Sequence, residues 1–270
     1  MIANITYDDY IWGDKFKTLQ NVVYLKIDDS LEYISKISKK VPTILTHNGD
    51  LSVDDKFAVY IDKFDYWFGQ NITATNSKFI PIPIGLENDY VPNAIQKKHL
   101  LLEFAARDIM PSKLLYVNHN IGTNPKERNI PYGMFKTCRY MTVEHSGGFD
   151  YQNQYYTEIK KHRFMLSPPG NGVDCHRTWE ILYLGRFPIL KNIGKLKELY
   201  SDLPVVFINK YEELTEEFLM QTQTEFEKTK FNYDKLKFKY WKDKIEKLTG
   251  KIHIIPEAPS TTNTNLLFYK

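Results

Sequence analysis

The chain is poor in cysteine. Cys138 and Cys175 are its only two, with no Cys-x-x-Cys pair and no zinc spacing. A disulfide scaffold and a zinc module are excluded, and the chain suits a reducing compartment or is indifferent to redox. No apolar run approaches the length of a membrane-spanning helix, so no span is predicted. The opening MIANITYDDY has neither a basic stretch nor an apolar core, which predicts no secretory signal and a cytoplasmic location. Excess charge of one sign is also missing. Against 36 Lys and Arg stand 33 Asp and Glu, a net charge of +3. That balance argues against a dedicated nucleic-acid binder, which would gather its excess on one face. The single basic run, Lys228 to Lys247, is interleaved with acids and reads as a solvated helix face. Repeats and low-complexity segments are absent as well.

What is present is apolar material in a periodic order. At 270 residues, with 42% hydrophobic and 14% aromatic residues, the chain can bury a core without staples, as one large or two compact domains. Short apolar runs alternate with amphipathic stretches, the pattern of α/β folds with parallel sheets. The first half predicts a strand at VVYLKI, a helix from Ser30, a strand at VPTIL, a helix-like stretch over 53–63 and an extended KFIPIPI. LENDYVPNA (86–94) reads as a boundary. A second series follows: strands at KLLYVN, CRYMTV, RFMLS, FPIL and PVVFI, helices from about Lys126, near 151–160 and over about 175–184, and a mostly helical 211–247. A turn is expected at Gly147-Gly148 and a loosely docked tail at APSTTNTN. The domain expectation is residues 1–95, with 240–270 as candidate material to complete them, and residues 96–250. A single doubly wound domain with insertions is the competing architecture.

The segment 164–190, FMLSPPGNGVDCHRTWEILYLGRFPIL, carries the most chemistry. A strand ends at Ser167 and a Pro/Gly turn leads straight into a helix. Pro169, Gly170, Asn171 and Gly172 form a loop whose glycines admit a ligand close to the backbone. Asp174 is the predicted N-cap, so orphan N–H groups and the helix dipole make an anion site at the strand's C-terminal edge. It is neither a P-loop nor a GxGxxG turn. His176, Arg177 and Glu180 follow on the helix, the last two sharing a face. A phosphate at the helix start lies about 9 Å from Glu180 at 1.5 Å rise per residue. Arg177 can then neutralise a diphosphate while Glu180 accepts from ribose hydroxyls. The structural alternative is an ordinary strand–turn–helix with an Arg177–Glu180 ion pair.

SPPGNGVDCHRTWEILYLGRFPI resembles the C-terminal signature of exostosin-like glycosyltransferases (glycosyltransferase family 47), and more closely a soluble branch known from microbial and viral sequences. THNGD, YWFGQN, PIPIGLEN and LLYVNHNIGTNPKER resemble the same branch, so the similarity spans roughly residues 41–190. It implies a GT-B fold, two Rossmann-like domains facing across a cleft with C-terminal helices near the junction. It also implies transfer of a sugar from a nucleoside diphosphate donor, UDP-linked, with inversion at the anomeric carbon. The membrane anchor and second catalytic half of the animal exostosins are absent, so their acceptors are not carried over. The implied location is the cytoplasm of a microbe, or of a host cell if the source is viral.

Further residues fill out that site. In NHNIGTNPKER, Pro125 suits a first helical position, with Thr123 or Asn124 as cap and Arg128 near the cleft. Asn120, Thr123 and Arg128 join Ser167, Pro169, Gly170, Asn171, Gly172, Asp174, His176, Arg177 and Glu180 as donor-side candidates. THNGD ends an apolar strand on the other side, where an acceptor hydroxyl and its base are expected, with Asp50 ahead of His47. An Asn48-Gly49 turn with Asp50 as helix cap is the structural alternative. Asn71 has a similar standing, and Trp67 and Phe68 read as core. No Asp-x-Asp triplet occurs, so no metal is expected, and His119, His145, His162 and His253 show no metal-ligand pairing. Cys175 lies beside a glycine loop, but Arg177 is too near to complete a phosphatase cradle. No cofactor is expected beyond the nucleotide-sugar co-substrate. The partners are a donor and a glycan acceptor, with no nucleic acid. A non-catalytic nucleotide- or glycan-binding protein of the same fold is the alternative.

Overall fold

The computed structural model describes residues 5–144 and 151–250. His145, the Gly147-Gly148 turn, His253 and the APSTTNTN tail lie outside them. After α1 (Gly13–Phe16) the first sheet begins, with β1 (Val23–Lys26), β2 (Val41–His47), β3 (Phe64–Gly69) and β4 (Phe79–Pro81). Helix α2 (Ser30–Lys36) and a 3-10 helix, Asp55–Lys63, make the first two crossovers. The order is β1-β2-β3-β4, every pair parallel.

Helix α3 (Ala94–Ala106) leads to the second sheet. It contains β5 (Lys113–Asn118), β6 (Met141–Glu144), β7 (His162–Leu166), β8 (Phe187–Lys191) and β9 (Val206–Ile208). Helices α4 (Pro125–Phe135), α5 (Tyr151–Lys161) and α6 (His176–Tyr183) connect them, and α7 (Glu216–Lys228) and α8 (Phe238–Thr249) follow. This sheet runs β6-β5-β7-β8-β9, again all parallel. From β5 the chain goes to β6 on one side and then crosses to β7 on the other. The crevice between the C-terminal ends of β5 and β7 is therefore a switch point, where open α/β sheets bind ligands.

The mixed α/β class with two parallel sheets agrees with the periodicity. Two details differ. The segment ending YWFG is itself a strand, β3, because Phe64, Trp67 and Phe68 are buried between neighbours on both sides. KFIPIPI narrows to the three residues of β4, where Pro81 and Pro83 cannot donate to a ladder. The 53–63 stretch is 3-10 rather than α, and its N-cap is Asp54, which accepts from Lys56 N at 3.2 Å. Asp50 is thus not the cap.

One apolar core is continuous across both sheets. It joins Leu45 and Phe68 of the first to Tyr116 and Met165 of the second, through Phe104, Trp179, Leu182, Trp241 and Ile245. Two further clusters cover the outer faces, one around Ile44, Trp67 and Phe57, the other around Leu115, Phe164 and Ile189. Helix α8 belongs to the shared core: Phe238 meets Phe16 edge-on at 5.2 Å. The 86–94 segment, polar in sequence, is docked rather than loose at its start. Leu86 N donates to Ile11 O at 2.7 Å, and Asp14 N donates to the Asn88 side chain at 2.7 Å. Among the described residues no helix is long and apolar enough to cross a membrane.

Candidate functional site

The switch point of the second sheet is built around two arginines. Asn124 caps α4 by accepting from Glu127 N at 3.4 Å, with Pro125 at the first helical position. One turn on, Arg128 is buried rather than projecting into the cleft. Its Nε donates to Pro169 O at 3.0 Å, Nη1 to Asn120 O at 3.0 Å and Nη2 to Pro168 O at 3.4 Å. It clamps the β5–α4 loop to the Pro/Gly loop, and Asn124 adds a bond to Gly170 O at 3.0 Å. Burial, and then the charge of Arg177, lower its affinity for its proton. Neither arginine has an ion-pair partner among the described residues.

Arg177 differs from Arg128 in what it leaves free. Its Nε donates to the Tyr155 hydroxyl at 3.2 Å, and its terminal nitrogens have no hydrogen-bond partner among the described residues. The Tyr155 hydroxyl in turn reaches Glu180 Oε2 at 3.4 Å, and Tyr156 donates to Oε1 at 3.1 Å. Arg177 and Glu180 therefore share a tyrosine hydroxyl rather than forming the ion pair of the structural alternative. Burial raises the Glu180 carboxyl above its ordinary range, against the pull of Arg177. The half-buried Arg177 fork forms no ion pair among the described residues, although the Glu180 carboxyl is close enough to feel its charge, and its terminal nitrogens stay open to a bidentate anion.

The rest of the loop is held by the protein itself. Asp174 is not the cap of α6; that position is Cys175, without a side-chain capping bond. The buried Asp174 carboxylate accepts from Ile84 N at 2.8 Å, from Trp179 Nε1 at 3.0 Å and from the Tyr200 hydroxyl. Its oxygens are thus engaged across the junction of the two halves rather than offered to a donor. Asn71 works beside it, accepting from Val173 N at 3.1 Å and Asp174 N at 2.9 Å. The glycines have the same explanation. A Cβ at Gly172 would stand 2.6 Å from Asn71 Nδ2, and one at Gly170 would stand 2.9 Å from Arg128 Nη2. Ser167 bonds Thr178 at 2.8 Å, Asn120 caps its own turn through Gly122 N at 2.8 Å, and Asn171 is exposed at the loop tip. Thr123 packs beside Gly170. Burial pushes the Cys175 thiol up rather than down, as a packed cysteine requires.

Across the junction, the end of β2 opens on a cavity of about 160 Å³. It is lined by Asn48, Asp50, Gln70, Glu87, Asn88 and His176, among others. Asp50 is exposed there, and its carboxylate makes no hydrogen bond among the described residues. His47 is different. Its Nε2 contacts Pro83 O at 3.0 Å, and its Nδ1 accepts from Asn48 N at 2.9 Å. A carbonyl can only accept, so Nε2 carries the proton and no ring nitrogen remains for a substrate. The expectation of His47 as base fails on that geometry.

His47 does have an energetic consequence. Burial lowers its pKa to about 4, as it does for His162, whose Nδ1 contacts Glu158 O at 2.6 Å. In the unfolded chain both return to about 6.5. Between those values the unfolded state binds protons the native state does not. Stability is therefore complete above about pH 6.5 and falls towards pH 4, by roughly 3 kcal/mol per histidine at the limit. Urea denaturation at pH 7 and pH 4.5 measures this. Equal stability at both, or an unchanged slope in His47→Gln and His162→Gln, would rule it out.

No family model matches the chain, and no curated protein matches it. Among solved structures, the crystal structure of a glycosyltransferase from Rickettsia africae ESF-5 is similar at a TM-score of 0.33 and 10% identity. The overlap covers 83% of this chain and 75% of that one. A likeness this distant leaves the chemistry to the site.

Several site residues were not singled out by sequence. Tyr151 donates to Asn118 Oδ1 at 2.8 Å, Asn118 to the Tyr116 hydroxyl at 2.6 Å, and Tyr116 to Glu144 at 2.7 Å. Tyr151 also stacks on Tyr155, with ring centroids 5.4 Å apart. The signal was available in YQNQYY, where Tyr151 and Tyr155 at i and i+4 share one face of α5. Nothing local in Asn118 or Glu144 distinguishes them from strand ends.

Proposed function

We propose that the chain is a metal-independent glycosyltransferase of GT-B type, exostosin-like in its α6 signature. It would take a sugar from a nucleoside diphosphate, UDP-linked, and pass it with inversion to a hydroxyl of a glycan. The observation that carries this reading is the Arg177 guanidinium, free at its terminal nitrogens beside Glu180 at the switch point, with Arg128 behind it. Two neighbouring arginines without an ion-pair partner among the described residues suit a diphosphate, and a carboxylate three residues on suits ribose hydroxyls. In this reading residues 96–250 hold the donor and residues 1–95 the acceptor, which enters the cavity at the end of β2.

The reaction is a direct displacement. The acceptor hydroxyl attacks the anomeric carbon as the bond to the diphosphate breaks, and Arg177, with the field of Arg128 and the α6 dipole, stabilises the departing charge. Binding without catalysis is favoured by one observation, the engagement of both His47 nitrogens. Slow donor hydrolysis without acceptor separates the two, since only a transferase turns the donor over.

The test is a thermal-shift series with UDP-, GDP- and CMP-sugars, followed by turnover in excess EDTA. A UDP-sugar should raise the melting temperature most, and turnover should survive chelation. A chain that no nucleotide-sugar stabilises is not this enzyme. Activity lost to EDTA and restored by Mn²⁺ or Mg²⁺ would overturn the arginine account.

A further inference from the structure

We infer that His176 is the general base that deprotonates the acceptor hydroxyl. This rests on the glycosyltransferase reading and assigns the residue it leaves open. Inverting displacement needs a base fixed within hydrogen-bond reach of the attacking oxygen. His176 lies where the two halves of the site meet, since its side chain lines the acceptor cavity beside Asp50 and Glu87. On α6 it directly precedes Arg177 and stands one turn before Glu180, sharing its face. No other cavity residue also belongs to the donor helix.

The ring is held in the tautomer a base requires. Nδ1 lies 2.7 Å from Gly85 O, which can only accept, so Nδ1 carries the proton and Nε2 keeps its lone pair. Nε2 has no hydrogen-bond partner among the described residues. Gly85 is itself fixed. Its φ is +66°, an added Cβ would stand 2.2 Å from Ile11 O, and the next residue, Leu86, donates its N–H to that same oxygen at 2.7 Å. The carbonyl that orients His176 is therefore set by the backbone of the first half.

The other cavity bases are less well placed. His47 has both nitrogens engaged. Glu87 is tied to Lys97 at 2.9 Å. Asp50 is exposed and nothing orients its carboxylate. The titratable and charged groups around His176 come from every neighbouring element: Glu180 and Arg177 on α6, Asp174 and the neutral Cys175 before it, Glu87 and Asp50 in the cavity, and the neutral His47 at the end of β2. In the step itself, the acceptor O–H bond breaks and its proton goes to Nε2. The new bond forms to the anomeric carbon, the sugar–phosphate bond breaks, and its electron pair leaves on the nucleoside diphosphate. The imidazolium then returns its proton to solvent.

The experiment uses the full chain with UDP-glucose, UDP-galactose, UDP-N-acetylglucosamine and GDP-mannose, with water as acceptor. His176→Asn keeps a donor for Gly85 O but has no basic nitrogen. It should retain the melting temperature and the calorimetric affinity for UDP while kcat falls by about 10²–10⁴-fold. The wild-type rate should decline on the acid side, Asp50→Asn should keep that acid limb, and His176→Asn should lose it. Imidazole added to His176→Ala should restore part of the rate. If His176→Asn misfolds, the wild-type profile still decides, because a rate that does not decline in acid excludes a histidine base. Near wild-type turnover in a folded His176→Asn overturns the assignment and leaves the glycosyltransferase reading standing. So does a loss of UDP affinity matching the loss of rate, which would make His176 a phosphate ligand. A wild-type chain that binds no UDP or GDP and consumes none of the four donors removes both readings together.

Discussion

Arg177→Ala is expected to lower kcat/KM for the nucleotide-sugar by about 10²–10³-fold, the usual loss when one preorganised donor to a developing anion is removed. The loss should appear in both constants. The guanidinium meets a diphosphate that is already charged when bound and carries more charge as it leaves, so KM rises and kcat falls. Folding should be nearly untouched, because among the described residues Arg177 makes a single side-chain hydrogen bond, through Nε to Tyr155. Arg128→Ala provides the contrast. It abandons the carbonyls of Asn120, Pro168 and Pro169 together. Its first effect should be a lower melting temperature and a disturbed loop, with activity falling in consequence. Steady-state kinetics and melting curves on the two variants separate contact from scaffold. An Arg177→Ala protein with normal KM and kcat would place the diphosphate elsewhere.

Asp174→Ala should produce the largest stability effect of any single change at the site. Its carboxylate is the acceptor for Ile84 N, Trp179 Nε1 and the Tyr200 hydroxyl, all in the buried junction between the sheets. Each of the three donors left without a partner costs about 1–3 kcal/mol, so the sum is roughly 3–9 kcal/mol. That is a large share of the stability of an ordinary domain, about 5–15 kcal/mol. Asp174→Asn keeps one accepting oxygen and should lose less. The donor-binding role expected from sequence predicts the reverse, a folded protein with weakened nucleotide affinity. Urea titration together with UDP calorimetry on the folded fraction decides between them. Unchanged stability with lost affinity would return Asp174 to the donor site.

Arg177 and Asp174 also show where sequence was sufficient and where it was not. Both stand in the same ten residues, both are charged, and both were assigned to the donor. Helical spacing correctly put Arg177 and Glu180 on one face, because that relation is local and follows from 3.6 residues per turn. It could not show that the intervening partner is Tyr155, which comes from a different helix. Asp174 looked like a cap because its position in the chain suits one. Its actual partners lie 90 positions before it, 5 after it and 26 after it.

By itself, the sequence determined the class of the fold and most of its strands. Parallel strands buried on both faces must be apolar runs, and the crossovers between them must be amphipathic, so both are written in local periodicity. It also determined the Pro/Gly turn into α6 and the cation and carboxylate that follow. Only the tertiary structure decided that one core runs through both sheets, that a side chain at Gly172 would meet Asn71, and that Arg128 clamps two loops together. It alone decided that His47 is closed while His176 is open. Each of those depends on which groups from distant parts of the chain occupy the last hydrogen-bonding position of a side chain. Periodicity carries no record of such long-range pairing, because it reports how a segment faces its surroundings and not what it meets there.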